Sequence, residues 1–126
     1  ELGAPLLRRF AALETPIDPS LLPDLKHETN AVEMEGALEG SRRVNIDPGY
    51  IVAERLVLAT GKNYTHRIYL GKGIYADLTL IYSKGEFQTL PWTYPDYASQ
   101  KVRTIMEQIR RKYLFQMKKE FELLSH

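Results

Sequence analysis

The chain has 126 residues and a mass of 14.5 kDa, enough for one hydrophobic core and too little for two well-cored domains. Hydrophobic residues at 44% and charged residues at 26% exclude a disordered, collagen-like or fibrous chain, and no run of 18 apolar residues is present to form a membrane-spanning helix. Without cysteine there is no disulfide framework, thiolate zinc site, iron–sulfur cluster or cysteine nucleophile.

The formal charge of +1 hides a division along the chain. Residues 1–40 hold three Lys and Arg against eight Asp and Glu, residues 41–100 seven against five, and residues 101–126 seven against three. This balance argues against a whole-surface polyanion binder and leaves room for a local patch. Glu1-Leu2-Gly3 enters almost directly into an apolar run, which reads as the later part of a longer chain. No signal-peptide pattern is visible, and a cytoplasmic location is the expectation.

In chain order, Pro5–Leu13 is short and apolar and predicts a strand ending before Glu14-Thr15-Pro16. A helix follows, capped by Asp18 or Ser20 with Pro19 or Pro23 in its first turn. Leu21, Leu22, Leu25, Thr29 and Val32 recur at helical intervals until Gly36, while Asp24, Lys26, Glu28, Glu33 and Glu35 form the polar side of a surface helix. Ser41–Asp47 alternates as a strand, Pro48-Gly49 predicts a sharp turn, and Ile51–Thr60 predicts another strand ended by Gly61-Lys62-Asn63.

The clearest local signal is a hairpin from Tyr64 to Tyr82 around Gly71-Lys72-Gly73. Centring it on Lys72 opposes Leu70 to Ile74, Ile68 to Ala76 and Arg67 to Asp77. One face then carries Ile68, Leu70, Ile74, Ala76, Leu78 and Leu80; the other carries Thr65, Arg67, Tyr69, Tyr75, Asp77, Thr79 and Ile81. A shift of one residue mixes the faces, so the pattern selects this register. Ser83-Lys84-Gly85-Glu86 reads as a second turn that returns Phe87–Leu90 as a third antiparallel strand. Pro91 and Pro95 bracket a rigid aromatic link, Trp92-Thr93-Tyr94. From near Ser99, Val102, Ile105, Met106, Ile109, Tyr113, Met117, Phe121 and Leu124 define an amphipathic helix of ~37 Å, at ~1.5 Å per residue. The expected architecture is a single α+β domain over residues 1–126, with a mixed or mainly antiparallel sheet, one early helix and one long C-terminal helix.

The runs Val44-Asn45-Ile46-Asp47-Pro48-Gly49-Tyr50, Leu56-Val57-Leu58-Ala59-Thr60, His66-Arg67-Ile68-Tyr69-Leu70-Gly71, Gly73-Ile74-Tyr75-Ala76 and Pro91-Trp92-Thr93-Tyr94-Pro95-Asp96-Tyr97 together resemble an uncharacterised bacterial family known only as a domain of unknown function. The resemblance covers nearly the whole chain and implies a member truncated at its beginning. It brings no reaction, cofactor or catalytic residue. Gly61 stands where relatives tend to carry Thr, and Asp77 where they tend to carry Glu.

Catalytic candidates are Asp47, Lys62, His66 and Arg67, which lie beside turns or strand starts where a scaffold can present chemistry. Each has a plainer reading. Asp47 suits a turn cap before Pro48, and Arg67 opposite Asp77 suits a cross-strand ion pair. His66 falls on the inner face with Ile68 in the proposed register. That separates it from Asp77, so the trio His66, Asp47 and Asp77 is not expected to hold a metal. Binding candidates are Tyr50, Tyr69, Tyr75, Asp77, Trp92 and Tyr94. Tyr50 can be a half-buried packing residue. The Arg67/Tyr69/Tyr75/Asp77 face is either a recognition surface or a seam beneath a helix, and the Trp92 cluster is either a plug or a pocket wall. The loops Gly61-Lys62-Asn63 and Gly71-Lys72-Gly73 each combine backbone freedom with a lysine, as anion-binding loops do, but neither has the phosphate-loop pattern.

No cofactor is expected. The leading expectation is a structural or protein-interaction domain that self-associates through the C-terminal helix. The alternatives are an enzyme of undetermined reaction with a polar strand-end pocket, and a nucleic-acid-binding module using the helix's basic side, Arg103, Arg110, Arg111, Lys112, Lys118 and Lys119.

Overall fold

The computed structural model describes residues 9–13, 16–36 and 45–124. Asp18 opens the first helical segment: its carboxylate accepts the Ser20 backbone N–H at 2.9 Å, starting a single 3-10 turn over Pro19–Leu21. That bond holds the Asp18 carboxyl below its usual value. The cap is therefore fully formed at neutral pH, and its contribution is lost as the pH falls through the lowered value. Helix α1 continues over Leu22–Glu35, with Pro23 in its first turn and Gly36 at its end. Both ends lie where the proline and glycine predict.

The sheet contains β1 (Gly49–Ile51), β2 (Arg55–Thr60), β3 (Arg67–Gly71), β4 (Ile74–Ser83) and β5 (Glu86–Thr89), all paired antiparallel. β1 lies on β2 and β2 on β4. The ten-residue β4 has β2 along one edge and, in tandem along the other, β3 beside its first half and β5 beside its second. A one-turn helix, α2 (Pro95–Ala98), leads into α3 (Gln100–Leu124), which Ser99 caps by accepting the Val102 N–H at 3.2 Å.

Each face of the sheet has its own helix. Leu56, Leu80 and Phe87 meet Tyr97 of α2 and Met106 of α3 on one face, with Val102 and Ile109 beside them. Val57, Ala59 and Ile74 meet Leu22 of α1 on the other. Burial of such side chains stabilises the fold by about 1.5–3 kcal/mol each. Arg110 ties α3 down further, donating to the Ala53 carbonyl at 2.8 Å and stacking its guanidinium 3.4 Å from the Tyr82 ring centroid.

The hairpin pairs Arg67 with Asp77, Ile68 with Ala76 and Tyr69 with Tyr75, as the pattern predicts. Two bulges change the rest. Gly71, not Leu70, pairs with Ile74, because Lys72 and Gly73 form a two-residue turn with positive φ at both positions and Leu70 is the extra residue. On β4, Leu56 pairs with Leu80 and Val57 with Leu78, which leaves Thr79 as an extra residue. The bulge at Thr79 turns Leu80 to the α3 face while Ile74, Ala76 and Leu78 stay on the α1 side, so the single continuous apolar face is corrected to two half-faces. Ile68 is not in the core either: it is 70% exposed.

Two further expectations change. Arg9–Leu13 forms no strand, and the rest of the Pro5–Leu13 segment lies outside the described residues. Asn45–Asp47 is likewise not a strand; the Ser41–Val44 part of that expectation is outside the described residues. Pro48-Gly49 does not turn the chain. Gly49 opens β1 opposite Leu58, where an added Cβ meets the Val57 carbonyl oxygen at 2.3 Å, so close approach rather than a turn explains the glycine. The turn comes at Ala53-Glu54, closed by mutual backbone bonds between Val52 and Arg55. Among the described residues no helix is long and apolar enough to cross a membrane.

Candidate functional site

The break between β3 and β5 leaves the β4 carbonyls of Leu78 and Thr79 without a strand partner on that edge. The proline-bracketed link fills the gap: Trp92 Nε1–H donates to the Leu78 carbonyl at 2.6 Å, and the Thr93 hydroxyl donates to that of Thr79 at 2.7 Å. The Thr93 oxygen also accepts the Leu90 N–H at 2.8 Å. Unpaired buried carbonyls are costly, so these side chains replace a missing stretch of ladder.

His66 packs onto this plug. Its ring stacks on Trp92 with centroids 4.7 Å apart and planes 13° from parallel, and its Nε2 lies 3.5 Å from Asp77 Oδ2. The same Asp77 oxygen accepts Arg67 Nε–H at 3.0 Å. Arg67 then donates from Nη1 to the Lys62 carbonyl at 3.1 Å and from Nη2 to the Tyr94 hydroxyl at 3.4 Å. The separation of His66 from Asp77 expected from strand alternation is thereby overturned. His66 precedes β3, so alternation does not govern where its ring points. Even so, among the described residues no group of three or more His, Cys, Asp or Glu side chains is placed to hold a metal ion.

Beyond Arg67 and Asp77 the sheet end opens into a cleft of about 570 Å³. Helix α1 supplies Lys26, Asn30 and Glu33, the segment before β1 supplies Asn45 and Asp47, and the end of β2 supplies Leu58–Thr60 with Gly61 and Lys62. Tyr94 closes one side. Glu33 is buried, and its carboxylate accepts the Ile46 N–H at 2.5 Å; the Lys26 ammonium donates to the Ile46 carbonyl at 3.4 Å. α1 thus grips both polar groups of one peptide residue in the wall.

Of the residues singled out from sequence, Asp47, Lys62, Arg67, Asp77 and Tyr94 line this one cleft. His66 and Trp92 adjoin it through Asp77 without lining it. Tyr50 packs beside the core under α1. Tyr69 and Tyr75 form a ring pair 5.1 Å apart, and the Tyr69 hydroxyl accepts the Gly73 N–H at 3.1 Å outside the cleft. Along their face exposure varies: Asp77 is buried, while Tyr69 is exposed. The Gly71-Lys72-Gly73 loop docks on α1, with Lys72 paired to Asp24 and His27 Nε2–H donating to the Lys72 carbonyl at 2.7 Å. Sequence reasoning missed Lys26, Asn30 and Glu33. Their spacing of four and three puts them on one helix face, and that was the available signal.

A second open surface lies at the end of α3. Leu114, Phe115, Phe121, Leu123 and Leu124 are exposed beyond the part of the helix that packs on the sheet, with Phe121 at 71% and Leu124 at 82%.

Fold and site together define a three-layer domain, an antiparallel sheet between two helical layers with a polar cleft at the sheet end. The chain belongs to the family described as a domain of unknown function (DUF4416), whose model matches residues 1–113. No curated protein and no solved structure matches it. The exposed residues from Leu114 onward lie outside the matched segment.

Proposed function

We propose that this is a protein-interaction domain that associates with a second copy of itself through the distal half of α3. The observation that carries the reading is the row of large apolar side chains from Leu114 to Leu124 that the sheet does not cover. Among them Leu114, Phe121 and Leu124, seven and three residues apart, share one side of the helix, and exposed apolar side chains grouped in this way mark an interface. A two-fold pair of helices is the simplest closed arrangement for such a surface. A cytoplasmic setting and a bacterial origin belong to the same proposal, the latter because the sequence runs resemble those of a bacterial family.

Sedimentation across a dilution series tests it. The expected result is a concentration-dependent dimer that Phe115→Glu with Phe121→Glu converts to monomer without loss of helix content. A strict monomer at tens of micromolar overturns it.

The convergence of Asp47, Lys62, Arg67, Asp77 and Tyr94 supports a second reading, a ligand-binding or catalytic cleft. The nucleic-acid reading has less support. Arg103 donates to the Ala98 and Phe87 carbonyls and Arg110 to that of Ala53, so two cations of the basic side brace the fold.

A further inference from the structure

The charged groups around the cleft divide into those that are engaged and those that are not. Asp77 is held by Arg67, Glu33 by the Ile46 N–H, and Asp47 also has a partner. Arg67 is committed through all three of its nitrogens. The two lysines differ. Among the described residues the Lys62 ammonium has no hydrogen bond or ion pair, and that of Lys26 has only the 3.4 Å contact with the Ile46 carbonyl. The side-chain amides of Asn30 and Asn45, on the same walls, are also without a bond among the described residues. What the cleft offers a ligand is therefore two positive charges and two amides, although the formal charges lining it balance.

We propose that the cleft binds a small organic phosphate monoester, its phosphoryl group between Lys26 and Lys62. The proposal rests on the second reading of the cleft and is independent of association through α3. Two ammonium groups match the charge of a phosphate monoester, about −1.5 to −2 at neutral pH. A dicarboxylate has the same charge, but planar carboxylates are best held by the guanidinium fork, and the cleft's Arg67 is already committed. Lysines act as point charges suited to a tetrahedral group. The volume of about 570 Å³ falls in the range of small-molecule sites and leaves room for an organic part against Leu58 and Tyr94.

Calorimetric titration at fixed ionic strength with phenyl phosphate, inorganic phosphate and succinate tests this. Saturable binding is expected for both phosphates, tighter for phenyl phosphate. Lys62→Ala and Lys26→Ala should each weaken binding about tenfold, the scale of one lost charge-assisted bond. Lys84→Ala, in the β4–β5 turn away from the cleft, should change nothing; circular dichroism verifies that all three variants are folded. No saturable binding of either phosphate at ~20 mM, or binding indifferent to Lys26 and Lys62, or equally sensitive to Lys84, overturns the proposal. Succinate bound in preference, with the same lysine dependence, overturns the phosphate class while leaving the cleft a ligand site. A single-stranded oligonucleotide that binds more tightly than phenyl phosphate and is lost in the same variants moves the phosphate source to a nucleic acid and overturns the small-ligand form.

Discussion

Arg67 Nε and Asp77 Oδ2 lie 3.0 Å apart across the β3–β4 pair, with side chains only 7% and 10% exposed. The arginine reaches from this carboxylate to the Lys62 carbonyl and the Tyr94 hydroxyl, so one ion pair joins the hairpin, the end of β2 and the aromatic link. Removing one partner leaves the other charge buried and unpaired. Asp77→Ala should lower the unfolding free energy by about 3–5 kcal/mol. The double replacement Arg67→Met with Asp77→Leu should lower it by less than Asp77→Ala alone, since no charge is then stranded. Urea unfolding followed by circular dichroism measures both, and an equal loss in the two proteins would contradict this account of the pair.

Gly49 and Gly61 flank the same strand pairing with opposite consequences. At Gly49 an added Cβ meets the Val57 oxygen at 2.3 Å and Leu58 Cδ2 at 2.7 Å, whereas at Gly61 nothing lies within 4 Å. Gly49→Ala should therefore destabilise by about 1–3 kcal/mol, the usual range for forced overpacking. Gly61→Thr, the residue that the family resemblance favours there, should stay within about 0.5 kcal/mol of the parent. Thermal unfolding of the two variants side by side checks the contrast.

The contrast also bears on what was legible in the sequence. Local signals were reliable where one residue type has one backbone meaning: the proline start and glycine end of α1, and the Lys84-Gly85 turn. The Arg67–Asp77 register was legible because polar and apolar residues alternate through Tyr69 and Tyr75. Alternation could not reveal Thr79, since a bulge adds a residue without any change in composition, and everything beyond it changes face. For the same reason His66 was misplaced: periodicity assigns a direction only to residues inside a strand. The cleft was half legible. Asp47, Lys62 and Arg67 stand out beside turns, but Glu33 looks like any acidic residue on a surface helix until the segment before β1 folds against it.

His66 and Trp92 provide a built-in optical probe, because Trp92 is the chain's one tryptophan and the imidazole stacks on it at 4.7 Å. The emission of an indole responds to what lies against its ring, and here that is the imidazole. His66→Ala removes the stacked ring and should change the intensity of Trp92 emission at constant pH, while His27→Ala, on α1, should leave it as it is. Emission unchanged by His66→Ala would contradict the stack.

Met106 and Phe121 lie on the same helix in opposite circumstances: the first is buried against Leu56, Leu80 and Phe87, and the second is exposed. Met106→Ala should destabilise by about 2–5 kcal/mol at every protein concentration, because it opens a cavity in the core of each chain. Phe121 is 71% exposed, so Phe121→Ala should change the stability of the monomer much less than Met106→Ala does. If α3 pairs with a second copy, the parent's melting temperature rises with protein concentration, since association stabilises the folded chain by mass action. Phe121→Ala should then flatten that dependence and leave the dilute-limit value where it was, whereas Met106→Ala should lower the whole curve. Differential scanning calorimetry over a hundredfold range of concentration separates these outcomes. A melting temperature in the parent that does not move with concentration would remove the distal helix as a site of self-association.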